Sequence, residues 1–156
     1  MSKRNKFAII LFTVALVFSS CNRKTIYSHY ESTPFSGWEK SDTLSFCITP
    51  ITHDCTYSEE IGLRINSAYP FMGITLIVSQ HTQPYHILRT DTLHAYLTDN
   101  DGNIQGTGVS YYQYHFKLAT LRLYANDTLY VNIRHNMKRE ILPGISDIGI
   151  TLRREE

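Results

Sequence analysis

A chain of 156 residues, 42% hydrophobic and 19% charged, has room for one globular domain and is neither a disordered tail nor an all-apolar membrane bundle. The formal net charge is +1, yet Lys3, Arg4 and Lys6 all precede the first acid; without them twelve basic residues face 14 acidic ones, a net charge of −2. A weakly acidic body gives no electrostatic case for a nucleic-acid partner, because such binding rests on many phosphate-neutralising cations.

The amino terminus reads as an address. Three cations in Met1–Lys6 precede the apolar run Phe7–Phe18, broken only by Thr13, and then Ser19, Ser20 and Cys21. This is the outline of a signal peptide over residues 1–20, and the run is shorter than the roughly 20 residues that a spanning helix needs. Phe18-Ser19-Ser20-Cys21 resembles a bacterial lipobox, in which the cysteine thiol takes a diacylglyceryl group and becomes the first mature residue. The alternative is ordinary secretory cleavage or an uncleaved anchor with an incidental Cys21. Lipidation makes attachment effectively permanent, since each buried methylene contributes about 0.8 kcal/mol. Asn22-Arg23-Lys24 lacks the Asp that resembles an inner-membrane retention signal, and it lacks the acidic run that resembles a surface-export signal. The expectation is an outer-membrane lipoprotein on the periplasmic face.

Residues 21–37 show no period and many Ser, Thr, Pro and Gly, which predicts a lipidated terminus and flexible tether reaching up to about 50 Å. From Trp38 to the end the chain alternates. Leu44, Phe46 and Ile48 make one period-2 run; Ile61, Leu63 and Ile65 a second; Ile74, Leu76 and Val78 a third; and Leu93, Ala95 and Leu97 a fourth. Tyr112, Tyr114, Phe116 and Leu118 follow, then Leu129, Val131 and Ile133, and finally Ile148, Ile150 and Leu152. Turn residues separate them at Ala68-Tyr69-Pro70, Asn100-Asp101-Gly102, Asn126-Asp127 and Pro143-Gly144. The pattern predicts an all-β antiparallel sandwich of about seven or eight short strands over residues 38–156, with at most a helical turn near 136–141.

Few residues in these strands invite chemistry. Cys47 and Cys55 are an even pair in an oxidising compartment, and closing their short loop would contribute roughly 2 to 3 kcal/mol. Strand parity opposes the bridge, because Cys47 falls with Ser45 and Cys55 with inward Ile61, so a disulfide and two free thiols both stay open. Asp99 to Asn103 has the oxygen spacing of a calcium loop, but an Asn-Asp-Gly hairpin turn accounts for it better. Histidines 29, 53, 81, 86, 94, 115 and 135 form no metal-ligand spacing and read as surface or edge residues. No serine has a nucleophile frame, so no catalytic residue, metal ligand or cofactor site is assigned.

Asp-Thr-Leu occurs three times, each read at a strand entrance, and the triplet also resembles the O-glycosylation acceptor of exported Bacteroidota proteins, with Thr43, Thr92 and Thr128 as acceptors. Tyr111 beside His115 offers an exposed ring for a sugar or partner, although core packing is the commoner fate of such tyrosines. Arg134, His135, Lys138 and Arg139 form a basic segment that is either a docking patch or a solvated loop.

Ordered motifs then accumulate: Tyr27 and Tyr30, Trp38-Glu39-Lys40 with Asp42, Leu63-Arg64-Ile65, Tyr69-Pro70-Phe71, and Asp91-Thr92-Leu93. Asp101-Gly102 with Gly106 and Gly108, Met137-Lys138, Leu142-Pro143-Gly144-Ile145 and Asp147-Ile148-Gly149-Ile150 complete the series. Their order and spacing resemble the GldH family of lipoproteins of Bacteroidota. The resemblance implies a non-enzymatic outer-membrane lipoprotein of the gliding apparatus, a machinery linked to type IX secretion, whose partners are other envelope proteins. Lys138 and Arg139 are the expected contact, and a glycan-binding surface lipoprotein using Tyr111 is the alternative.

Overall fold

The computed structural model describes residues 24–84 and 88–155. Every regular element among them is a strand: β1 (Thr25–Ser32), β2 (Trp38–Glu39), β3 (Leu44–Ile48), β4 (Cys55–Asn66), β5 (Gly73–Gln83), β6 (Leu88–Tyr96), β7 (Tyr111–Leu123), β8 (Thr128–His135), β9 (Ile141–Leu142) and β10 (Ile145–Arg154). One sheet runs β1-β10-β4-β7 and the other β3-β8-β5-β6, while β2 and β9 form a separate short ribbon. All pairings are antiparallel, as the alternating runs predict.

The alternation explains the core. Ile61, Leu63 and Ile65 on β4 and Ile148, Ile150 and Leu152 on β10 face Ile74, Leu76 and Val78 on β5 and Leu129, Val131 and Ile133 on β8, all buried. Burying each such side chain contributes roughly 1.5–3 kcal/mol, and a one-residue slip would turn the whole set to water. Register is therefore held by the pattern itself.

Three expectations are corrected. Residues 25–32, read as tether, form edge strand β1 along β10. Its outer side chain Tyr30 lies flat over Gly62 and Gly149, where any Cβ would collide with the ring. Arg64 stacks on that ring at 4.1 Å, and Gln113 Nε2 donates to its hydroxyl. Polar His29 and Glu31 share the inward parity of Tyr27 while Tyr30 lies on the outer face, and together these erase the alternation. No helical turn forms at 136–141; the segment is a loop leading into β9. In β7 a bulge shifts the register between Glu59 and Glu60, so Leu118 is extra and the inward parity passes to Ala119 and Leu123.

The sandwich has two poles. At the near pole the described chain begins, and the Arg154 N–H donates to the Lys24 carbonyl at 2.7 Å. The far pole carries the connections β1–β2, β4–β5, β6–β7 and β8–β10. There Gly144, at φ 78°, completes the Pro143-Gly144 turn in a backbone conformation that a side chain would strain.

Candidate functional site

The loop between β8 and β9 is fastened at the far pole. Its base is His135, fully buried with its ring edge-on to Trp38 at 5.2 Å. His135 Nε2 donates to the Trp38 carbonyl at 3.2 Å, while Nδ1 accepts the Met137 N–H at 3.4 Å. Burial pushes its pKa below the usual histidine value, which keeps the ring neutral and suits that tautomer. This corrects the reading of every histidine as a surface or edge residue. The Asn136 N–H donates to the Thr75 carbonyl at 2.8 Å, and the Thr75 N–H meets Met137 Sδ at 3.4 Å. At the other end the Lys40 N–H donates to the Glu140 carbonyl at 2.8 Å.

Between these fastenings Lys138 and Arg139 are exposed and, among the described residues, make no ion pair. Beside them lies a groove of about 260 Å³ lined by Met72, Ile74, His94, Tyr96 and Met137, with Met72 59% and Tyr96 80% exposed. Phe35, Ile104, Val109, Tyr111 and Ile141 are also exposed at this pole, whereas Ile26 and Tyr124 lie toward the other. Cationic and apolar groups thus share one end of the molecule.

The other predicted residues are scattered. Cys21 lies outside the described residues. The disulfide alternative is corrected: Cys47 is exposed on β3 of one sheet, Cys55 sits on β4 of the other, and both thiols are free. Cys55 Sγ instead approaches the Glu155 carbonyl at 3.3 Å. Thr43 and Thr92 are exposed, while Thr128 is half-buried and shares a 3.0 Å hydroxyl contact with Thr49. Thr43 and Thr128 stand at strand entrances, but Asp91-Thr92-Leu93 lies in the middle of β6, because that strand begins earlier than its alternation.

Tyr111 is 55% exposed and faces Phe35 across a second groove of about 280 Å³, whereas Tyr114 is buried and donates to the Leu97 carbonyl. His115 turns to Glu60 at 2.8 Å. The Asp99 carboxylate accepts the N–H groups of Asp101 and Asn103 and the side-chain amides of Asn103 and Gln105, as a closed turn does. Those donors hold its pKa below the usual aspartate value, the Asn103 side chain foremost. Among the described residues no three His, Cys, Asp or Glu side chains are grouped to hold a metal ion.

One buried polar pair escaped the sequence reading. Glu59 on β4 is fully buried and accepts a hydrogen bond from Gln80 Nε2 of β5 across the core. Glu59 Oε1 and Gln80 Oε1 have no partner. Burial raises the carboxyl pKa from 4.5 to about 7, and Gln80 offsets part of that rise. The signal was available, because Glu59 keeps step with Ile61 and Leu63.

The GldH lipoprotein family model matches residues 25–152. The gliding motility lipoprotein GldH of Flavobacterium johnsoniae is 26% identical, covering 98% of this chain and 99% of that protein. A GldH homolog of Christiangramia forsetii is 25% identical over the same shares. Among solved structures, Eiger TNF from S. frugiperda aligns over 86% of this chain and 94% of that one, at 13% identity and a TM-score of 0.35, too low to inform function. Matched along nearly all of its length, the chain belongs to the GldH lipoprotein family.

Proposed function

We propose that this protein is a lipoprotein anchored through Cys21 in the outer membrane, on its periplasmic face, where it holds another envelope protein of the gliding-motility and type IX secretion-associated machinery. It works by contact and has no catalytic residue, metal or cofactor. The observation that carries this reading is the exposed Lys138–Arg139 pair on a fastened loop, at the pole opposite the start of the described chain. A fastened loop presents charge at little entropic cost, and opposite charges on a partner would steer the encounter.

Crosslinking in cells tests it. A photoreactive residue at Glu140 should capture an envelope protein in the parent, and Lys138→Glu with Arg139→Glu should reduce capture without lowering the melting temperature, since exposed charges contribute little to stability. Unchanged capture removes the patch from consideration. Cys21→Ser should release the protein from membranes, and protease should reach the parent only after the outer membrane is permeabilised. A second reading, glycan binding, is favoured by Phe35 and Tyr111 flanking one groove. Retention on a polysaccharide column, lost in Tyr111→Ala, would support it.

A further inference from the structure

A sheet edge carries unpaired N–H and C=O groups, and natural edges are usually shortened, bulged or covered. Among the four edges here, β3 has five residues and β1 has a register shift between Thr25 and Tyr27. The β7 edge is bulged at Leu118, and Thr107 closes its far-pole end by exchanging backbone bonds with Gln113 at 2.9 and 3.0 Å. Among the described residues β6 alone has none of these three features, its charged pair Arg89 and Asp91 lying toward the near pole and bonded to each other. Its nine residues pair with β5 in unbroken register, and Leu88–Tyr96 contains no Pro, Gly or Lys.

The direction of its free groups follows from β5. The Thr75 N–H and C=O both turn toward β8, meeting Met137 Sδ and the Asn136 N–H. The β6 partner of Thr75 is His94, so this is a non-hydrogen-bonded pair and His94 turns its own N–H and C=O to the open side. Alternation places Thr90, Thr92 and Tyr96 in the same orientation. All four residues are exposed, and none is Asp, Glu, Lys or Arg. The Thr90 and His94 side chains are occupied by Ser79 and Thr75 on the sheet face, which leaves the backbone row unused among the described residues.

We propose that β6 is a docking edge for an extended segment of another envelope protein, which adds a strand through main-chain hydrogen bonds to Thr90, Thr92, His94 and Tyr96. This deepens the proposed function and rests on it. The far-pole end of β6 runs into the groove of Met72, Tyr96 and Met137, which takes one apolar side chain of the added strand. Lys138 and Arg139 follow Met137 in the chain, so a carboxylate beyond that side chain completes the match. A second copy of this chain is a poorer occupant. Copies anchored at their near poles in one membrane present β6 parallel to each other, whereas symmetric edge pairing across a two-fold axis runs antiparallel.

The test uses the full lipoprotein in its own membrane, with benzoylphenylalanine replacing His94 as the probe. Thr92→Pro removes one outward N–H while leaving the β5–β6 ladder intact, since that N–H does not point to β5. A photoadduct with an extended segment of another envelope protein, located by mass spectrometry and reduced at least tenfold by Thr92→Pro, is the expected result. Thr92→Lys, which places charge on the edge without touching the backbone, should also reduce it if the proline variant folds poorly. An adduct unaffected by both variants, an adduct to a second copy, or no adduct overturns the proposal. Should Glu140 capture persist while the β6 probe stays silent, this inference fails and the proposed function stands; silence at both positions defeats both.

Discussion

Glu59→Gln should make the protein more stable at pH 8 and nearly unchanged at pH 5. In the folded state Glu59 is fully buried, with Asp91 raising its pKa further and Arg89 lowering it, and the carboxyl titrates at about 7 against an ordinary 4.5. Both orphaned atoms of the pair, Glu59 Oε1 and Gln80 Oε1, are acceptors. A single proton, with the Gln80 amide turned over, lets the acid O–H donate to one carbonyl while the amide N–H donates to the other. Between pH 4.5 and 7 the folded state binds more protons than the unfolded chain. Stability contributed by this group is therefore full below 4.5, falls as pH rises through 7, and is flat above. A gap of roughly 2.5 pKa units corresponds to about 3 kcal/mol, taking about 1.4 kcal/mol per unit. Glutamine supplies the same reciprocal pairing without titrating, so the variant should exceed the parent by about 1–3 kcal/mol at pH 8, which is several degrees in melting temperature. Urea unfolding of both proteins from pH 4.5 to 8.5, read as the difference between them, isolates this residue from every other titration. A difference that stays constant with pH, or a variant less stable at pH 8, would refute the reasoning.

His135 acts in the opposite sense: its folded pKa lies below 6.5, so stability should fall as pH drops below 6.5, and His135→Gln should flatten that limb of a melting-temperature profile. Gly149→Ala should cost about 1–3 kcal/mol by driving a methyl group into the Tyr30 ring, and adding Tyr30→Ala should restore part of the loss in a double-mutant cycle of chemical denaturation. Leu76→Ala, which empties a fully buried site between the sheets, should cost about 2–5 kcal/mol in the same assay.

How much of this was legible depends on where each residue sits. Runs such as Ile74, Leu76 and Val78 announce β5 because one face meets the core and the other meets water. The same logic reads β4, β8 and β10, and the inward parity of β4 extends back from Ile61 to Glu59. It failed for β1, whose large outward ring rests on two glycines of neighbouring strands, a seat that exists only after the sheet assembles. Two-residue strands β2 and β9 are too short to show any period, and the Leu118 bulge depends on the facing strand. Exposure of Lys138 and Arg139 was readable from composition, but the fastening of their loop by Met137 and His135 joins distant positions. The open side of β6 is likewise a property of strand order, since β8 arrives on the other flank of β5.

The pairing of β1 with β10 changes the mechanics of the whole molecule. In the proposed anchoring through Cys21, four peptide steps lead to Thr25, at most about 13 Å of chain where a tether of about 50 Å is expected. In that arrangement the domain would stand on the bilayer as a post, not on a leash. The twelve residues of β4 set its height at about 40 Å. A partner gripping the far pole would then be held at that altitude and would need an extended arm of its own to meet it, and a longer linker before Thr25 would loosen the height while leaving every contact surface intact.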